Sequence, residues 1–380
     1  MLDYGRQSIK LHQQHRGKIE IRVKVSLQTS KDLSLAYTPG VAAVCSAIGK
    51  DQSQSWQLTN RANQVAIVSD GTAILGLGNL GPAAALPVME GKAAIFKKFA
   101  GIDAFPLCIN TTEVEEIVKF CKYLEPSFGG INLEDIAAPR CFEILERLER
   151  ELRLPVFHDD QDGTAIVVLA ALINSCKLTG KNIKRIKIVI NGAGAAGLAI
   201  AKLLIVQGVK ELIISDSRGC ICESRKDLNR YKREMAGRTN RRQVAGCLAE
   251  ALIGADVFIG VSRGNLLTAK MVGSMAKNSI IFAMANPVPE IMPAIARRAG
   301  AAIAGTGRSD LPNQINNALI FPGIFRGLLD YRLRRVTVPM KIAAAYAIAG
   351  CVRPRPDKIL PTLTENKATE AIVKALKKFR

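Results

Sequence analysis

Residues 184–216 constrain the fold more than any other stretch of the chain. KRIKIVI (184–190) is an apolar run rich in β-branched residues, the pattern of a buried strand. NGAGAAG follows at once. LAIAKLLIVQG then reads as a helix ended by Gly208, and ELIISD as a second strand ending on Asp216. A strand, tight turn, helix and strand of this length form a parallel crossover unit. Such a unit must sit in a sheet covered by helices, so the chain is expected to be α/β.

The turn matches G-x-G-x-x-G through Gly192, Gly194 and Gly197, with Ala195 and Ala196 between the last two. Gly192 would allow the tight turn and Gly194 a close approach of backbone to a pyrophosphate. Gly197 would let helix and strand pack closely. The helix N-terminus would hold the phosphate charge. Asp216 stands 24 residues after Gly192, near the place of a ribose-binding acid. An acid there favours NAD; Arg218, two residues on, keeps NADP open. A second match, GLGNLG (76–81), has no acid-ended strand after it and is expected to shape a loop at another site.

VAIV (65–68), AFPLCI (104–109) and LPVF (154–157) read as further buried strands, and VFIGV (257–261), IIFAMA (280–285) and AAIAG (301–305) continue the later sheet. Segments 113–124 and 139–152 carry apolar residues at helical spacing: Val114, Ile117, Val118, Cys121, then Cys141, Ile144, Leu145, Leu148. The segment after Val338 reads as helical. The expected architecture is an N-terminal α/β domain over 1–157 and a doubly wound, Rossmann-like nucleotide-binding domain over 158–380 with C-terminal helices.

Composition narrows the function. A formal charge of +20 raises nucleic-acid binding. Only 5% of residues are aromatic and no zinc or RNA-platform spacing is present, so no nucleic-acid partner is expected. The longest uninterrupted apolar run, Ala165–Ile173, is nine residues, and no membrane span or secretory signal is expected. Nine cysteines without framework spacing, Cys108, Cys176 and Cys247 among them in apolar runs, read as buried free thiols in a reducing cytoplasm.

Two acidic groups stand where apolar runs stop: Glu134 and Asp135 in GGINLEDI, and Asp159, Asp160 and Asp162 after His158 in PVFHDDQDGTA. Neighbours on a strand point to opposite faces, so such a pair can serve one metal only where the strand ends or bends. Carboxylates converging there would suit Mg²⁺ or Mn²⁺. The alternative is that Asp160 or Asp162 caps the helix that follows. Lys92, after a glycine in VMEGKAAIFKKF, is a candidate base if partly desolvated, whereas Lys97 and Lys98 read as solvent-facing. On its residues alone, Tyr37 in AYTPGVA reads as a core tyrosine.

KDLSLAYTPGVAAVC, VAIVSDGTAILGLGNLGPAAALPVMEGKAAIFKKFAGIDAFP, FGGINLEDIAAPRCFEI, PVFHDDQDGTAIVVLAAL, INGAGAAGLAIAKLL, ANPVPEI and GTGRSDLPNQINNALIFPGIFRG together resemble the short bacterial type of malic enzyme, from about Arg16 to Ala349. The resemblance implies oxidative decarboxylation of (S)-malate to pyruvate and CO₂ with reduction of NAD or NADP, a Mg²⁺ or Mn²⁺ ion, and a homodimer. It makes Tyr37 the general acid, Lys92 the general base and Asp159 the acid that assists the lysine. Glu134, Asp135 and Asp160 become metal ligands. Asn286, Asn316 and Asn317 lie near the nicotinamide ribose and the substrate carboxylate. The family usually has His where this chain has Asp162, and a small residue where it has Arg263. The readings set against it are a metal-independent 2-hydroxy-acid or amino-acid-type dehydrogenase and an inactive homologue.

Overall fold

The computed structural model describes residues 4–380. Its first sheet runs β2–β1–β3–β4, with β1 Gln64–Ser69, β2 Asp103–Cys108, β3 Gly130–Leu133 and β4 Val156–His158, all parallel. The second sheet runs β10–β9–β8–β5–β6–β7. Its members are β5 Lys187–Asn191, β6 Glu211–Asp216, β7 Gly219–Cys220, β8 Val257–Gly260, β9 Ser279–Ala283 and β10 Ala301–Thr306. Every pairing is parallel except β6 with β7. The α/β reading holds, and the expected strands fall within three residues of their places. The short edge strand β7 has no sequence signal of its own.

In the second sheet the strand order reverses between β5 and β8, the crevice where open α/β sheets bind ligands. The glycine turn leaves β5 at that point.

The helix Pro82–Ala100 covers the first sheet. Its buried residues include Ala85, Met89, Lys92 and Phe96, spaced by four, three and four, so Lys92 lies on the core-facing stripe. Lys97 is largely exposed and pairs with Asp103, as expected. The helix Arg140–Glu151 buries Cys141, Ile144, Leu145 and Leu148, the face its spacing predicts.

One helical stretch, Asp159–Thr179, is long and apolar enough to cross a membrane, but most of it is buried inside the protein. It is a core helix joining the two sheets. The C-terminal helices return to both units. Phe321–Asp330 packs on Pro82–Ala100, Val338–Ala349 on Thr164–Thr179, and Lys367–Leu376 on both of these C-terminal helices. Phe96 meets Phe321 and Phe325 with ring centroids 4.6 and 5.3 Å apart, and Phe157 meets Phe325 at 6.0 Å. Phe325 is fully buried at this junction, so its loss to alanine should cost about 3–5 kcal/mol. Buried apolar side chains from both sheets form one continuous cluster.

Candidate active site

Strand register brings the acids together. β3 and β4 are parallel neighbours with Leu133 opposite His158. The residues after each therefore leave the sheet at the same end: Glu134 and Asp135 from β3, Asp159 and Asp160 from β4. Asp135 has φ 53°, a left-handed bend that frees this pair from the alternation of a strand. One carboxylate oxygen from each of Glu134, Asp135 and Asp160 lies within 4.8 Å of the others. The backbone N–H of Asp135 donates to Asp160 Oδ2 at 2.9 Å, and Asn132 Nδ2 donates to Glu134 Oε2 at 3.2 Å.

Lys92 reaches this group from its helix. Its ammonium lies 2.9 Å from Glu134 Oε1, donates to Asp159 Oδ2, and stands 4.2 Å from the centre of the Phe321 ring. Burial penalises the ammonium, but the charges of Asp159 and Glu134 outweigh that and hold it protonated well above the ordinary lysine range. Burial pushes the Glu134 carboxyl well up, against the pull of Lys92. Burial and then the charge of Asp160 push Asp135 up to about 8. Asp135 Oδ2 and Asp159 Oδ1 are buried with no hydrogen-bond partner. Buried acids with orphaned oxygens and an oxygen-only donor set fit a hard divalent cation.

Asp159–Gly163 forms a π-helical turn continuous with the helix beyond it. Asp162 is therefore inside a helical turn and not a cap; its Oδ1 accepts from Lys341 Nζ at 2.6 Å. Asp160 caps nothing either and faces Asp135. His158 is fully buried and burial lowers its pKa, so it sits neutral behind the acids. A Cβ at Gly163 would meet Asp159 Oδ1 at 1.8 Å and Asn317 Cβ at 3.1 Å, so only glycine lets those two side chains lie there. Asn317 thus packs beside Gly163, on the turn that carries Asp159. Asn316 spends its Oδ1 on the Ala318 N–H, 2.8 Å away, at the start of a 3₁₀ turn.

The glycine turn behaves as its spacing predicts. Gly192 has φ 122°, and a Cβ there would meet the Val261 carbonyl oxygen at 2.6 Å. A Cβ on Gly197 would meet the Gly192 oxygen at 1.8 Å, whereas one on Gly194 would enter open space. Gly194 is the N-cap of Ala195–Val206 and supplies no capping side chain, so Ala195 and Ala196 open a helix whose first turn is free for an anion. The residues present fit a dinucleotide. A Cβ on Gly76 would meet the Asn286 carbonyl oxygen at 2.4 Å, so the GLGNLG loop lies against the ANP segment.

Two anchors were not singled out by the sequence. Arg140 donates to buried Asp70 at 2.9 Å and to Thr72 at 3.1 Å, fixing the loop after β1. Glu290 is fully buried and accepts from the N–H groups of Ser262 and Ala285, tying the ends of β8 and β9. The signal for Glu290 was an acid inside the apolar ANPVPEI. Tyr37 corrects the core reading: it is 72% exposed, after the helix Ser30–Ala36, and takes no part in the cluster's hydrogen bonds or ion pairs. Cys247 is exposed, not buried, at the start of a short helix; Cys176 is buried and Cys108 half-buried.

Residues 16–149 match the family model "Malic enzyme, N-terminal domain" and residues 161–378 match "Malic enzyme, NAD binding domain". The chain belongs to the malic enzyme family. It is 54% identical to the bifunctional malic/malolactic enzyme of Bacillus subtilis, over 98% of this chain and 92% of that protein. It is 52% identical to the NAD-dependent malic enzyme of Geobacillus stearothermophilus, over 95% of this chain and 76% of the relative. The crystal structure of an NAD-dependent malic enzyme from Thermotoga maritima superposes with a TM-score of 0.94 at 50% identity, covering 99% of both chains.

Proposed function

We propose that this malic enzyme oxidises and decarboxylates (S)-malate to pyruvate and CO₂, reduces NAD or NADP, and depends on a divalent metal held by Glu134, Asp135 and Asp160. The observation that carries this reading is the buried Lys92 ammonium lying against Glu134 and Asp159 at the edge of a three-carboxylate cluster. A metal-independent dehydrogenase has no use for three converging acids, two of them buried, at that place.

A divalent cation on those ligands would polarise the substrate's hydroxyl and carboxylate oxygens and offset the acid charge that keeps Lys92 protonated. Lys92 would take the proton of the 2-hydroxyl, and NAD or NADP held at the glycine turn would supply the hydride acceptor. Asp159, bonded to Lys92, holds the amine in position and steadies its charge when it is protonated. Asn317 and Asn286 orient the substrate carboxylate and nicotinamide side of the site. Tyr37 delivers a proton to the carbon that has lost CO₂. The Gly192–Gly197 turn would hold the pyrophosphate.

The domain boundary is placed at residues 157–158, in the last residues of β4 just before the joining helix that opens at Asp159. A homodimer is supported by Ile19, Ile21, Val23, Val25 and Leu27, an exposed stretch whose apolar residues alternate as in a strand. Tyr37, ten residues beyond that arm, is likewise exposed and open to cover by a second copy. The free cysteines accord with a cytoplasmic setting.

The test is malate-dependent absorbance at 340 nm with each cofactor, with Mn²⁺ or EDTA, and with pyruvate measured as product. Metal-dependent NAD(P)H and equimolar pyruvate are expected. NAD(P)H formed in EDTA without pyruvate would replace this reading with a simple dehydrogenase.

A further inference from the structure

Asp216 closes β6 where a ribose-binding acid belongs, but its carboxylate is already fully engaged. A carboxylate has two oxygens and about four acceptor positions. Oδ1 accepts from the Arg218 N–H at 3.0 Å and from Arg225 Nη1 at 2.7 Å. Oδ2 accepts from Arg225 Nη2 at 3.2 Å and from Lys232 Nζ at 2.7 Å. A ribose hydroxyl could bond this acid only by displacing a charge-assisted hydrogen bond, which is about twice as strong as a neutral one.

The charge is reversed as well. Asp227 is the only other acid bonded into the group, taking Arg225 at 2.6 Å and Arg218 at 3.1 Å. Three cations, Arg218, Arg225 and Lys232, thus stand against two carboxylates, so the end of β6 carries a net positive charge. Arg225 is consumed by its two acids and by the Gly219 carbonyl at 3.2 Å. Arg218 is 71% exposed and spends a single side-chain hydrogen bond within the group, and Lys232 spends one of its three donors. Ser217 is exposed between Asp216 and Arg218. Donors and positive charge are therefore available where the adenine ribose 2′-position of a dinucleotide lies in this kind of unit.

We infer that Asp216 is the anchor of a basic 2′-phosphate site built on Arg218 and Lys232, not a ribose ligand, and that this chain takes NADP in preference to NAD. This rests on the dinucleotide reading above and goes beyond it by naming the cofactor. An acid that would otherwise repel a 2′-phosphate is neutralised by Arg225 and used to aim Lys232. A dianion entering there replaces water around exposed Arg218 and half-buried Lys232 and meets no uncompensated carboxylate.

The test uses the full-length chain and calorimetry with adenosine 2′,5′-bisphosphate and with 5′-AMP, alongside kcat/KM for NADP and NAD. The bisphosphate should bind at least about tenfold more tightly than 5′-AMP, an advantage that shrinks as salt rises. Arg218→Ala combined with Lys232→Ala should erase most of that advantage and lower the NADP/NAD ratio of kcat/KM about as far. Arg218→Ala alone changes one exposed side chain and should give a partial loss in a folded protein. Tighter or equal binding of 5′-AMP, or a cofactor ratio that the variants do not move, overturns the inference and leaves the dinucleotide reading standing. Failure of both nucleotides and both cofactors to bind overturns the two together.

Discussion

Lys92 Nζ stands 2.9 Å from Glu134 Oε1, which joins the candidate base directly to a candidate metal ligand. The two side chains are only 7% and 6% exposed. Neither is comfortable alone: removing one partner of a buried pair leaves the other charged and uncompensated.

Lys92→Ala should therefore have two effects. Turnover should fall by about 10³-fold or more, in the upper range for loss of a general base, while NADP or NAD still binds. Without metal the variant should also lose about 3–5 kcal/mol of stability, because Glu134 and Asp159 remain buried without their counter-ion. Steady-state kinetics, cofactor titration and urea unfolding check these separately. Near-normal turnover would remove Lys92 from the base position.

Metal removal should be felt in stability and its effect should grow with pH. Asp135 is pushed up to about 8 by burial and then by Asp160. An acid whose folded pKa lies above its unfolded value binds more protons in the native state. The metal-free protein should thus lose stability as pH rises from about 4 towards 8. A cation that needs the ionised acids binds better over the same range. The stability gap between Mn²⁺ and EDTA, read as ΔG from urea unfolding, should widen between pH 5 and 8, reaching roughly 2.7 kcal/mol when the ion is at 100 times its Kd. Asp160→Asn should shrink that gap. A gap that narrows with rising pH would contradict the assignment.

Asp162 and Lys341 are 2.6 Å apart and 179 positions apart in sequence. Their side chains are 10% and 15% exposed, and they fasten the helix Val338–Ala349 to the turn that carries Asp159 and Asp160. Asp162 is thus paired through one of its oxygens to a distant helix. Lys341→Met should cost about 1–3 kcal/mol by leaving that acid unpaired. Asp162→Asn in the same chain should recover part of the loss, a coupling that a double-mutant cycle measures.

Gly163→Ala tests the turn itself. The added methyl would fall on Asp159 Oδ1, with Asn317 Cβ behind it. The expected result is a fall in kcat of roughly 10²-fold, from misplacement of the acid beside Lys92, with helix propensity at the position improved. Unchanged kcat would show that Asp159 does not need that position.

Much of this arrangement was legible in the sequence because local pattern and global fold agree. Asp216 sits at the end of β6 and Gly192 at the end of β5, where the β–turn–α–β spacing puts them. The acid clusters could be found because apolar runs stop at Glu134 and Asp159. Which acid meets which cation could not. Arg225 and Lys232 on Asp216, and Lys341 on Asp162, are contacts set by how distant segments pack, with no periodicity to announce them. Tyr37 was misread as core because a tyrosine near a proline–glycine turn carries no sign of which surface covers it. The helix onset at Asp159 was missed because three acids and a glycine resemble a loop, although acids suit the first turn of a helix.

The most direct measurement is anomalous diffraction at the manganese edge from crystals of the full chain soaked in Mn²⁺. The account predicts one strong peak enclosed by the carboxylates of Glu134, Asp135 and Asp160, beside Lys92. A manganese-dependent enzyme whose crystals show no peak there, or a peak at other ligands, would contradict it.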